Sequence, residues 1–190
     1  MTRLSQMKIT SKRKAGVLEL LNSFETEHTS QPGRNISLDI FMRYFFLRNK
    51  AVYDSEARNQ IVDLTYTLMR YKGYLNAIAS RRQSGQADHV TWAARLKAFE
   101  TPDFADLFDS NSIPIHARCS VPYDLYKVLC SNYSEEEVIK ICRAYLEPPK
   151  LTIRANTLKT TRDELLKVLT KEHNFKVEEC KHAPNGIRFV

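Results

Sequence analysis

Glycine is scarce in this chain: Gly16, Gly33, Gly73, Gly85 and Gly186 are the only five among 190 residues. No two share a loop, so neither a G-x-G-x-x-G turn nor a P-loop can be written from them. A nucleotide-type cofactor needs such a turn for backbone amides to approach phosphate or ribose closely. The sequence therefore predicts that this chain alone holds no nucleotide-type cofactor. Long apolar runs are missing too. Nothing approaches the ~18 uncharged residues of a membrane helix, and mean hydropathy is -0.43, so the chain reads as soluble, without a membrane partner. The four cysteines, Cys119, Cys130, Cys142 and Cys180, form no C-x-x-C pair, and no His lies three to five residues from another. That spacing argues against a structural zinc site, and no metal is expected. With no secretory signal, the cysteines read as buried thiols in a reducing, intracellular compartment. A catalytic thiol needs a cation or helix N-terminus beside it. Cys119, which follows Arg118, comes nearest to that condition. Acids are absent ahead of Glu19, while Arg3, Lys8, Lys12, Arg13 and Lys14 crowd the start. A disordered basic lead-in is the favoured reading, with an organellar transit segment as the other.

What is present is a basic chain with enough apolar mass to fold. Hydrophobic residues make up 43%, and 29 cations against 22 acids leave a net charge of +7. From Arg43 to Arg82 the chain carries eight cations against Asp54, Glu56 and Asp63. Such an excess suits either a polyanion partner or a plainly solvated basic surface.

Apolar spacing predicts helices over Lys12–Glu25 and Ser37–Arg48, with a loop at Pro32-Gly33 between them. A third helix, capped at Asp54, runs on Ile61, Leu64, Leu68, Leu75 and Ile78 and is expected to continue through Gly73. Gln83 to His89 is a polar loop, and short helices follow at Val90–Phe99 and Pro102–Phe108. Asp109 to Ser120 is irregular. Pro122 opens a helix, and Ser134-Glu135-Glu136-Glu137 is a capping box for the next. That helix must stop at Pro148-Pro149. Leu151, Ile153 and Ala155 then alternate with Thr152, Arg154 and Asn156, as in a strand. Thr161-x-x-Glu164 opens another helix, and Phe175-x-Val177 and Ile187-x-Phe189 read as strands joined through Pro184-Asn185-Gly186. The class is α+β: a basic lead-in at 1–14, a helical region at 15–110, a linker at 111–120 and an α+β unit at 121–190. Val190 falls in or at the end of a strand, so a piece cut from a longer protein is expected.

Pro122-Tyr123-Asp124-Leu125, then Pro148-Pro149-Lys150-Leu151-Thr152-Ile153-Arg154-Ala155-Asn156 and Thr161-Arg162-Asp163-Glu164-Leu165, resemble the lead-in of the Sun family of RNA cytosine-5 methyltransferases. That lead-in has a P-x-W/Y-L helix start, a Pro-Pro ahead of an R-x-N strand, and an S/T-R-x-x-L helix before the catalytic domain. Glu56-Ala57-Arg58 through Gly73-Tyr74-Leu75 resembles the family's NusB-like helical region in abbreviated form. The resemblance implies an RRM-like or ferredoxin-like α+β unit followed by a Rossmann-like catalytic domain that binds S-adenosylmethionine. It also implies two cysteines in Pro-Cys and Thr-Cys contexts, one adding to cytosine C6 and one helping release the product. Here Arg118, Leu129, Ile141 and Glu179 precede the four cysteines. None matches, so no catalytic residue is assigned to this chain.

RNA recognition is what the resemblance leaves for these residues, with the downstream catalytic domain as the other partner. Arg154 and Asn156 share the strand face opposite the core, where an RRM-like sheet holds RNA. Arg154 could instead meet the catalytic domain, and Asn156 could simply fix the turn after the strand. Lys159 and Arg162 are phosphate contacts or solvated charges. Arg58, Arg70, Lys72, Arg81 and Arg82 form either a basic strip along one helix or a solvated face. Tyr66 and Tyr71 read as core or edge residues. The leading expectation is an RNA-binding, RNA-orienting fragment of a methyltransferase whose RNA is ribosomal or transfer RNA. A free-standing NusB-like RNA-binding or assembly factor and a scaffold without RNA are the alternatives. Nucleus or nucleolus, cytoplasm and organelle are not separated by these features.

Overall fold

In the computed structural model the described residues are 10–30, 36–82, 90–101 and 112–190. The expected helix at 102–108, the loops at Pro32-Gly33 and Gln83–His89 and the first nine residues of the lead-in lie outside them. The chain divides into two compact units, residues 1–146 and residues 147–190.

The first unit is helical: α1 Ser11–Ser30, α2 Leu38–Arg48, α3 Ser55–Arg70, α4 Lys72–Arg82, α5 Trp92–Phe99, α6 Ile115–Arg118, α7 Tyr123–Cys130 and α8 Glu135–Leu146. Helix α1 starts inside the expected lead-in, and Arg13 and Lys14 have uses in the fold. Arg13 lies 3.4 Å from Glu56 and Lys14 2.5 Å from Glu100. Side-chain caps set other helix starts: Asp54 Oδ1 accepts from the Ala57 amide at 2.7 Å, and Thr91 Oγ1 from Ala94 at 3.2 Å. The core gathers Val17, Leu20 and Leu21 of α1, Ile61, Leu64 and Leu68 of α3, and Tyr74, Leu75 and Ile78 of α4. Trp92 and Leu96 of α5 complete it.

The expected single helix through Gly73 is two helices broken at Tyr71. The cause sits far along the chain. Ser120, held at φ 53°, brings its Oγ within 3.0 Å of the Tyr74 amide, satisfying an orphan donor in the first turn of α4. A Cβ at position 73 would stand 3.0 Å from the Ser120 Cα, so any other residue would push that segment back by a few tenths of an ångström.

The boundary between the compact units falls after residue 146, whereas the expected α+β span opens at 121. Helix α6 begins within the expected 111–120 linker, and Cys119 is buried against Val138 and Cys142 of α8, with Ile115, Val121, Tyr126 and Leu129 around them. This small satellite core keeps α7 and α8 in the helical unit. The capping box at α8 forms as expected: Ser134 Oγ accepts from the Glu137 amide at 3.4 Å, and Glu137 accepts from the Ser134 amide at 3.1 Å.

The second unit runs β1 Thr152–Arg154, α9 Arg162–Lys171, β2 Val177–Glu179 and β3 Gly186–Phe189. The three strands order as β1-β3-β2 with antiparallel neighbours. The last strand thus inserts between the two that α9 connects, a split β-α-β arrangement. Ile153 pairs Ile187, and Val177 pairs Phe189, so alternation puts these four apolar residues on one face. Helix α9 packs against β2 and β3. Its capping box is complete at Thr161 and Glu164. Past its end Asn174 takes φ 53°, and the Phe175 amide returns to the Leu169 carbonyl at 3.0 Å.

Candidate nucleic-acid interface

Register on the small sheet decides which charges are available. Strand β2 reads Val177-Glu178-Glu179, and alternation sends its two glutamates to opposite faces. Each meets an arginine. On the face away from α9, Glu178 is the cross-strand neighbour of Arg188, whose Nε donates to Glu178 Oε1 at 2.6 Å. Thr152 flanks Arg188 on the other side, and Arg154 stands two residues along the same face. On the α9 side, Arg162 Nη2 at the helix start lies 2.7 Å from Glu179 Oε2.

These pairings sort the predicted cations of this unit. Arg162 is a half-buried tie between α9 and β2. Arg154 and Lys159 are exposed, and among the described residues their side chains carry no hydrogen bond or ion pair. Asn156 builds the turn that presents Lys159: its Oδ1 accepts from the Leu158 amide at 3.2 Å, and its carbonyl from the Lys159 and Thr160 amides at 2.8 and 3.1 Å. Leu158 at the tip is 95% exposed. The N-terminus of α9 is not an open anion site. Glu164 already occupies it, and hydrogen bonds from the Thr161 backbone and from the Thr161 and Thr160 hydroxyls hold its carboxyl below the usual range.

In the helical unit, most of the expected basic strip serves the fold. Arg58 Nε and Nη2 donate to the Tyr53 and Lys50 carbonyls, both at 2.9 Å, pinning the α2–α3 loop. Lys72 Nζ lies 3.3 Å from Glu25 and 5.3 Å from the Trp92 ring centre. Arg81 donates to Ser112 Oγ at 2.8 Å. Arg70 ends α3 and Arg82 ends α4, so the five cations sit on two helices rather than along one. Beneath Lys72, Arg95 is only 3% exposed, with Nε donating to Asn76 at 2.7 Å and its guanidinium 4.2 Å from the Trp92 ring centre. Arg188 and Arg95 were absent from the sequence reading. Alternation against Ile187 and Phe189 could have placed Arg188 on the outer face; nothing local marks Arg95.

Cys119 and Cys142 are buried in packing, whereas the expected burial fails for Cys130, which is exposed, and for Cys180, which is half-buried. Burial, with the Cys142 thiol beside it, pushes Cys119 up to about 12, the opposite of what a nucleophilic thiolate needs. Among the described residues no group of three His, Cys, Asp or Glu could hold a metal ion, and no helix is long and apolar enough to cross a membrane.

Residues 121–190 match the family model for the ferredoxin-like domain of RsmF/B-like methyltransferases. The matched span takes α7 and α8 together with the whole second unit. The chain is also 34% identical over 86 residues to the probable ribosomal RNA small subunit methyltransferase B of Bacillus subtilis (strain 168), covering 44% of this chain. The match spans 19% of that relative's length. No solved structure matches the chain. The two similarities support the resemblance to a Sun-family N-terminal region.

Proposed function

We propose that this chain is the RNA-holding, pre-catalytic part of an S-adenosylmethionine-dependent RNA cytosine-5 methyltransferase that acts on ribosomal RNA in an intracellular compartment. The match of residues 121–190 to an RsmF/B-like methyltransferase domain carries this reading. On it, the cofactor and the reacting cysteines belong to a Rossmann-like domain beyond these residues, and residues 15–110 are an abbreviated NusB-like unit. The α+β unit holds RNA through Arg154 and Lys159, and the helical unit separately offers Arg70. Such contacts position RNA through its phosphates and carry no sequence information. The outer sheet face offers Thr152, Arg154, Glu178 and Arg188 and no aromatic ring, so base stacking is not its work.

The test is a salt series of fluorescence anisotropy with the 190-residue chain and a labelled single-stranded RNA. Two to three phosphate contacts predict a log–log slope of roughly -1.4 to -2.1. Affinity that ignores salt, or no binding at all, overturns the reading.

One observation favours a second role for the helical unit. Ile40, Tyr44 and Leu47 of α2 are exposed at spacings of four and three, outside the buried Met42 and Phe45. An apolar stripe of that kind suits a protein-contacting scaffold. On this reading Arg70→Ala leaves RNA affinity unchanged.

A further inference from the structure

The two arginine–glutamate pairs of strand β2 differ in a way that bears on RNA. In the Arg162–Glu179 pair the arginine side chain is 23% exposed and its Nε is buried. In the Arg188–Glu178 pair the side chains are 42% and 44% exposed, on the face that also carries Arg154. An exposed pair of this kind is screened by water and contributes little to stability. Its geometry is nonetheless that of anion recognition: Nε and Nη2 of Arg188 both address one carboxylate oxygen. A phosphodiester oxygen can take the same place on a guanidinium fork.

We propose that Glu178 stands in for an RNA phosphate on Arg188. The carboxylate holds the guanidinium on the outer face when RNA is absent. A backbone phosphate displaces it on binding, so Arg188 becomes a second phosphate contact beside Arg154. Glu178 then sets how tightly this face holds RNA, because each binding event must break its pair with Arg188. This inference rests on the RNA-holding reading above and adds to it a named residue and a built-in brake.

The brake makes an unusual demand on mutants: removing an interaction strengthens binding. With the 190-residue chain and labelled oligo(U), Glu178→Gln is expected to tighten binding about threefold at low salt and to steepen the log–log slope by about 0.7, one contact's share. In an Arg188→Gln background that gain is expected to vanish. Arg188→Lys keeps the charge without the fork, and is expected to shrink the gain. A gain that survives Arg188→Gln overturns the proposal, since it would reflect the lost negative charge alone. So does a gain unchanged by Arg188→Lys, or one seen with oligo(U) and absent with oligo(A), since a phosphate contact is blind to sequence. If Arg154→Gln weakens binding while Glu178→Gln does nothing, the brake is wrong and the RNA-holding reading stands. If the wild-type chain shows no salt-sensitive binding, both fall.

Discussion

The helical unit and the α+β unit differ most in how much apolar side chain each closes off. The helical unit buries residues from α1 through α5 in one cluster, with Leu20, Leu21, Ile61, Leu64, Tyr74 and Trp92 all but inaccessible. In the α+β unit only Ala155, Gly186 and Ile187 are buried, while Leu151, Leu158, Phe175 and Val190 stay exposed. Small units have too much surface for their volume to build a deep core. The charges divide the other way. Arg58, Lys72, Arg81 and Arg95 are engaged within the helical fold, whereas Arg154, Lys159 and the Arg188–Glu178 pair lie on the surface of the thin unit. On the RNA-holding proposal, the well-packed unit supports and the thin one makes the contacts.

Trp92→Ala tests this contrast most severely. The ring is fully buried and lies beside the buried Arg95 guanidinium, so its loss leaves a large cavity next to a charge. We expect a cost of about 3–5 kcal/mol in urea unfolding followed by far-ultraviolet circular dichroism. A cost below about 1 kcal/mol would mean that the helical core collapses around the gap and is less fixed than its burial implies.

Ile187→Ala is the counterpart in the thin unit, with an expected cost of about 2–4 kcal/mol. Because so few other apolar residues are buried there, this loss is expected to separate the unfolding into two transitions, the α+β unit melting first. Hydrogen exchange on β1–β3 amides reads it directly. One cooperative transition across both units would break the comparison.

The contrast also accounts for what could be read in the sequence. Local signals were legible: Asp54, Ser134 and Thr161 start helices because a cap and its amides are three residues apart. The α+β order and the facing of Arg154 followed from period-two alternation. Signals that depend on distant partners were not. The helix break at Tyr71 hangs on Ser120 capping an amide 46 residues away. The helical unit keeps α7 and α8 through the burial of Cys119 on α8, which no linker composition reveals. Of the candidate cations, Arg58 and Arg162 looked free because their partners, the Lys50 and Tyr53 carbonyls and Glu179, come from loop shape and strand register.

A smaller effect should be alike in both units. Hydrogen bonds from the Ser134 hydroxyl and backbone lower the Glu137 carboxyl, and Thr161 and Thr160 do the same for Glu164. A carboxyl held below its unfolded pKa stabilises the fold above that ordinary value and loses the contribution as pH falls through the lowered one. Helix content is thus expected to decline slightly below the ordinary carboxylate range, and Glu137→Gln or Glu164→Gln to remove its own share of that pH dependence. A titration unchanged in both variants would show that neither box holds in solution.

The smallest effect separates a charge that only ties the fold from one proposed to meet RNA. Lys159 projects from the turn built by Asn156, whereas Arg162, three residues on, is committed to Glu179. Composition treats them alike, since both are cations beside the start of α9. Their surroundings do not. If Lys159 contacts a phosphate, Lys159→Ala lowers affinity equally for all RNA sequences and makes the log–log salt slope shallower by about 0.7. Arg162→Ala removes a pair in which the cation is already neutralised, so it releases no extra counterion when RNA binds. Its expected signature is a lower midpoint for the α+β transition with the salt slope unchanged. Glu179→Ala sharpens the distinction: it frees Arg162 on the α9 side and is expected to destabilise the unit as Arg162→Ala does. If Arg162→Ala instead flattens the slope and leaves the midpoint alone, Arg162 exchanges Glu179 for phosphate. The α9 side of the unit would then belong to the RNA surface along with the outer sheet face.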